Sequence, residues 1–178
     1  PKLYWDWNTR LQAEDYRKFC GTAPQLMVFG MREALDMIFE EGLENIYERH
    51  RVLAEATHAA VEVWSQAGTL SLNAIEPKER STAVTTILTD EGVDANMIRD
   101  VCRDEMMVGL GGGLGNLAGR AFRVGHMGDM NAPMLFAALA SIEATFRYLD
   151  IKFAPGGVTA AIEHVAQSKK VGTGPFSY

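Results

Sequence analysis

The amino-acid sequence predicts an α+β fold, a small sheet covered by helices, and three observations lead there. Long stretches repeat apolar residues at spacings of three and four, the period of a helix with one buried side. The β-branched run Thr82-Ala-Val-Thr-Thr-Ile-Leu-Thr89 reads as a strand. The elements follow in the order helix, helix, strand, helix, strand, strand, helix, helix, without the regular alternation that builds a doubly wound sheet. At 178 residues the chain holds one ordinary domain, or a small domain with appendages.

From Thr22 the chain enters a helix, in which Val28, Met31, Leu35 and Ile38 form an apolar face and Gly42 gives the stop. Thr22-Ala-Pro24-Gln25 reads as its start: a capping hydroxyl, a proline in the first turn and a glutamine placed to complete a capping box. A second helix runs from Leu43 to Ala67, with Ile46, Leu53, Ala56, Ala60 and Trp64 on one side, and Gly68 ends it. After the Thr82–Thr89 strand and the Asp90-Glu-Gly92 turn, Asp94 caps a short helix to about Asp104. Met106–Leu110 and Ala121–Gly125 read as two short strands that pair as neighbours around the glycine-rich Gly111–Gly115 turn. Asn131 caps a helix carrying Leu135, Leu139, Ile142, Phe146 and Leu149, which Pro155-Gly-Gly157 breaks. Val158–Gln167 forms the last helix, and 169–178 is expected to be a loose tail.

The composition, 47% hydrophobic and 22% charged, is that of a globular chain able to bury a core. Seventeen basic residues against 23 acidic ones give a net charge of −6, which argues against nucleic acid or an anionic membrane surface as the partner. Cys20 and Cys102 stand far apart in no metal or redox spacing, so a reducing, cytoplasmic setting is the simpler assumption. No stretch approaches the length of a membrane span, and Pro1–Trp7 lacks the zones of a signal peptide. Because the first residue is Pro rather than Met, the chain is expected to begin inside a longer or processed product.

Few motifs carry chemistry. Gly113-Leu-Gly115-Asn-Leu-Ala118 formally fits a dinucleotide fingerprint, but that fingerprint needs a helix directly after the glycines, and here Gly119-Arg120 and a strand follow. The histidines His50, His58, His126 and His164 fall in no zinc spacing, so no metal site is expected. His50 and His58 lie in a charged helix and read as solvated or edge residues, whereas His126 adjoins the segment Phe122–Gly128. In that segment Arg123 is flanked by apolar residues, where an unpaired guanidinium is costly, so it needs an anion. Either it clamps a substrate carboxylate bidentately or it forms an internal salt bridge, and spacing alone favours the salt bridge. Thr22 poses a similar choice between helix cap and phosphate contact, two roles that are compatible.

A resemblance enters with longer motifs. Thr22-Ala-Pro24, Gly30-Met-Arg-Glu-Ala-Leu35, Glu40–Asn45, Glu48-Arg-His-Arg51, Asp90–Asp94, Gly111–Gly115, Ala118–Asp129 and Pro155–Val158 resemble, in order, the segment after the cofactor lysine in class V aminotransferases, in the alanine–glyoxylate and serine–glyoxylate group. The resemblance implies the small carboxy-terminal domain of a fold-type I pyridoxal-phosphate enzyme, a short antiparallel sheet covered by helices after an interdomain helix region. The implied boundaries are 1–42 for the connecting segment with its interface helix, 43–168 for the small domain and 169–178 for the tail. The implied reaction moves the amino group of serine or alanine to glyoxylate, with ureidoglycine as another donor. The Schiff-base lysine, the pyridinium aspartate and the stacking ring of such enzymes all lie upstream; none of Lys2, Lys18, Lys78, Lys152, Lys169 and Lys170 occupies the lysine motif. The segment therefore carries no catalytic residue of its own.

Position by position, the resemblance makes Arg123 the binder of the substrate α-carboxylate, which reverses the preference for a salt bridge. It makes Thr22 a contact to the cofactor phosphate across a dimer interface. Phe19 stands where many relatives have Tyr and has no hydroxyl to donate. The Gly111–Gly115 turn lies near the active-site mouth in the family, with no direct contact assigned. The implied partners are the missing amino-terminal large domain, a second subunit in a homodimer, a small amino acid, and glyoxylate or pyruvate. Two other functions stay open: a non-catalytic binding or interaction module of the same fold, and a class V lyase, for which neither Cys20 nor Cys102 sits in a persuasive motif.

Overall fold

The computed structural model describes residues 3–12 and 14–168, so the expected 169–178 tail lies outside the described residues. The chain divides into two compact units, Pro1–Leu43 and Glu44–Tyr178.

The first unit contains helix α1 (Trp7–Gln12) and helix α2 (Gln25–Glu41), with short 3-10 turns at Leu3–Trp5 and Asp15–Arg17. Asp6 starts α1 by accepting the Thr9 amide at 3.2 Å and the Thr9 hydroxyl at 2.6 Å. Arg10 lies 4.9 Å from the Trp7 ring centre and donates to the Lys18 carbonyl, which ties the segment together. Helix α2 stops at Gly42, whose φ of 85° lies in the region that favours glycine, and the Gly42 amide closes on the Ile38 carbonyl. Its start differs from the expected capping box. Pro24 takes the N-cap position, with no side-chain cap bond, which leaves Thr22 two residues upstream and Gln25 at the first helical position instead of the third. The apolar face of α2 is present, but no residue of the helix is buried; Leu26 is 86% exposed and Phe39 70%.

The second unit runs α3 (Leu43–Trp64), β1 (Leu70–Leu72), β2 (Val84–Thr89), α4 (Ala95–Asp104), β3 (Gly111–Gly112), β4 (Ala121–Gly125), α5 (Ala132–Tyr148) and α6 (Gly157–Gln167). The four strands form one antiparallel sheet in the order β1-β2-β4-β3. Asp94 and Asn131 cap α4 and α5 by accepting the Asn96 and Met134 amides. Strand β1 carries no sequence signal because three residues are too few to show a period. The expected strand at Met106–Leu110 is not one. The Val108 amide folds back onto the Cys102 carbonyl to close α4, Met107 turns through a φ of 57°, and the ladder with β4 passes to Gly111–Gly112. Val108 and Leu110 pack against the core instead.

Alternation along the strands sorts the two sheet faces. Ile87, Phe122 and Val124 enter the core with Leu53, Ala60 and Trp64 of α3, Ile98 of α4 and Leu139, Ile142 and Phe146 of α5. Trp64 and Phe146 meet edge-to-face at 5.4 Å. The buried Trp64 indole donates to Glu143 Oε1 at 2.8 Å, and the same oxygen accepts the Val158 amide in the first turn of α6. The opposite face carries Val84, Thr86, Leu88 and Arg123, each half-buried.

Candidate active site

Arg123 lies in the middle of β4, between Phe122 and Val124, which are held in the core. Its register partners are Thr86 on β2 and Gly111 on β3. Nε donates to the Gly112 carbonyl at 2.8 Å. Among the described residues no carboxylate lies within ion-pair distance of this guanidinium, and its two terminal nitrogens have no hydrogen-bond partner. A half-buried cation with two unmatched donors is suited to a planar anion.

The two glycines of β3 make room for it. A Cβ on Gly111 would lie 3.2 Å from both Cβ and Nε of Arg123 and 3.5 Å from Nη2. A Cβ on Gly112 would meet Arg99 of α4 at 3.0 Å, where Arg99 Nη1 donates to Asn96 Oδ1 and Nε to the Leu110 carbonyl. Sequence reading gave this turn no contact; the signal that could have found it is a glycine pair brought by a hairpin opposite an arginine.

The loop after β4 is strapped down by residues that sequence reading placed elsewhere. His50 is not merely solvated, since it accepts the Gly128 amide at 2.9 Å, and Arg49 donates to the Gly128 and Met130 carbonyls at 2.8 Å each. His58 is buried, at 8% exposed, and not an edge residue, because α3 turns it toward His126, whose ring stands edge-on 6.2 Å away. His126 is fully buried, and its Nδ1 donates to the Thr82 carbonyl at 3.2 Å, so Nε2 accepts from the Thr85 hydroxyl at 2.9 Å. Burial, then the neighbouring His58, pushes the His126 pKa from its ordinary 6.5 to about 4. Burial, with Arg80 next in weight, also lowers that of His58. A cavity of about 190 Å³ opens beside His58, Asn73, Ser81, Thr85 and Thr86, but the guanidinium in its wall, Arg80, is already paired with Glu62 at 2.6 Å.

A pH dependence follows from His126. Between pH 6.5 and about 4 the unfolded chain binds a proton at this position and the folded chain does not, so stability falls as the pH drops through that window and is flat above it. The native protein is expected to lose about 2 kcal/mol more than His126→Gln between pH 7 and pH 5, measured by urea denaturation at the two values. Parallel losses in the two proteins would exclude His126 as the titrating group.

Thr22 stands in the first unit, exposed, and its hydroxyl makes no hydrogen bond among the described residues. It lies just ahead of the 17-residue helix α2, whose first amides lack a side-chain cap. A spare hydroxyl beside uncapped helical amides suits a phosphate group, and a forked cation suits an α-carboxylate, so the residues present fit a phosphorylated cofactor and an amino-acid substrate. Phe19 is exposed and brings no donor. Among the described residues no cluster of three histidine, cysteine or acidic side chains could hold a metal ion, and no helix is long and apolar enough to cross a membrane.

No protein-family model matches the chain. It is 40% identical to a serine–glyoxylate aminotransferase from Methylorubrum extorquens over 168 residues, 94% of this chain and 41% of that protein. It is 35% identical to an L-aspartate–glyoxylate aminotransferase from Paracoccus denitrificans over 148 residues, 83% of this chain and 36% of the relative. Its fold matches the crystal structure of an alanine–glyoxylate aminotransferase from Nostoc sp. with a TM-score of 0.69 and 32% identity, over 81% of this chain and 37% of that one. The chain thus spans about two fifths of the length of the curated relatives it matches. In sequence and in fold, the chain matches the carboxy-terminal part of class V aminotransferases.

Proposed function

We propose that these residues form the substrate-carboxylate half of an aminotransferase that moves an amino group from serine or alanine to glyoxylate. The observation that carries the reading is Arg123, a half-buried guanidinium with no acid beside it among the described residues. The relatives named above use different donors, but their names share glyoxylate as the partner, which makes it the favoured acceptor. The Schiff-base lysine comes from polypeptide outside these residues. The uncovered apolar side of α2 fits docking to that large domain or to a second subunit of a homodimer. A cytoplasmic setting fits two cysteines that form no disulfide.

Pyridoxal phosphate, when bound, supplies an electron sink for the bond broken at the substrate α-carbon. Arg123 grips the α-carboxylate and so fixes how the Cα–H bond is presented, a positioning effect that contributes several kcal/mol when the geometry is right. The Thr22 hydroxyl would donate to the phosphate of a cofactor across the dimer interface and so help to hold it. Arg49 and His50, through the 126–131 loop, keep the chain leaving β4 in one place, so that Arg123 sits on a rigid strand.

The test is donor profiling of the full-length protein in single half-reactions. Serine or alanine is expected to change the cofactor absorbance, and glyoxylate to restore it. A spectrum that no amino acid alters would overturn the reading in favour of a non-catalytic module.

A further inference from the structure

We propose that Gly111 and Gly112 are positioning residues that oblige Arg123 to meet its carboxylate end-on, through Nη1 and Nη2. This rests on the reading of Arg123 as the carboxylate clamp. A guanidinium offers a carboxylate two bidentate edges, one made by Nε and Nη2 and one by the two terminal nitrogens. In this chain the first edge is closed. Nε donates to the Gly112 carbonyl at 2.8 Å, and a Cβ added at Gly111 would come within 3.2 Å of Nε and 3.5 Å of Nη2, so β3 occupies the space beside these two nitrogens. The terminal nitrogens alone have no partner among the described residues.

Both glycines are needed for this, for different reasons. Gly111 is bare on the Arg123 side, which leaves room for the Arg123 side chain next to β3. Gly112 is bare on the other side, where Arg99 packs at 3.0 Å from the place of a Cβ, and this lets β3 approach α4 closely enough to aim its carbonyl at Nε. At Gly111 backbone strain does not demand glycine, for its φ is not positive, and the three atoms nearest the added Cβ all belong to Arg123.

The experiment uses the full-length enzyme. Gly111→Ala is expected to displace Arg123 from the Gly112 carbonyl and raise KM for the amino donor about tenfold, with propionate weakened equally as a competitor and kcat lowered as well, because a displaced guanidinium orients the substrate less well. Gly109→Ala, which has open space at its Cβ, is the control and is expected to leave both constants unchanged. Arg123→Lys keeps the charge but has neither the Nε donor that meets the Gly112 carbonyl nor the fork, and is expected to lose at least as much affinity as Gly111→Ala; since it needs no change in β3, it tests the end-on fork even if Gly111→Ala does not fold. A parental KM in Gly111→Ala or in Arg123→Lys, alongside a crippled Arg123→Ala, would overturn the positioning role and leave the clamp standing. An Arg123→Ala enzyme with unchanged KM would instead remove the clamp itself, and the proposed function with it.

Discussion

Arg123→Ala in the full-length chain is expected to lower kcat/KM for the amino donor about 30- to 1,000-fold, the equivalent of about 2–4 kcal/mol of transition-state binding. On the proposed reading, two charge-assisted hydrogen bonds to the α-carboxylate would disappear together, and with them the restraint on rotation of the substrate. The fold should be almost indifferent. Arg123 is half-buried, its one side-chain hydrogen bond among the described residues runs to the Gly112 carbonyl, and no acid among them would be left unpaired by its removal. Steady-state kinetics with the favoured donor, run beside thermal unfolding, therefore separates a lost contact from a lost structure. Turnover close to that of the parent enzyme would refute the assignment.

The largest expected effect on stability lies at Gly157. A Cβ there would fall 2.2 Å from Nε1 of Trp64, 2.6 Å from Cδ1 and 2.7 Å from Cε2. The indole cannot step aside. It is fully buried, stacked edge-on against Phe146 and bonded to Glu143, which also holds the first turn of α6. Gly157→Ala must either push α6 off the core or break the buried Trp64–Glu143 bond, and overpacking together with an unsatisfied indole puts the loss at about 3–4 kcal/mol. For a unit of this size that is a fall of roughly 10 °C in its unfolding temperature. A variant that melts within a couple of degrees of the parent, judged by circular dichroism, would show that the contact can relax.

Much of the second unit is legible in the sequence, because its signals are local. The spacing of Leu53, Ala56, Ala60 and Trp64 marks the buried stripe of α3, and Asp94 and Asn131 occupy the caps their side chains suit. The misses share a different cause. Met106–Leu110 is apolar enough to be a strand, yet the ladder goes to two glycines, because which segment pairs with β4 is decided by close approach to Arg123 and Arg99 across the fold. His58 reads as a surface residue in a charged helix, and only the packing of the β4 exit against α3 buries it. Thr22 reads as a cap, but the choice of Pro24 for that position depends on a backbone turn that composition does not report. For Arg123 the undecided point was whether one of 23 acidic residues folds up beside it, and no periodicity carries that information.

The outer strands of the sheet are its shortest: three residues in β1 and two in β3, flanking a six-residue and a five-residue centre. A stub of two glycines offers a neighbouring molecule almost no row of free amides and carbonyls to zip onto, so runaway edge-to-edge growth into cross-β fibres is discouraged by geometry alone. When this polypeptide clumps during overproduction, the sticky agent is expected to be the greasy flank of α2 and not the sheet, and added mild detergent should disperse the clumps.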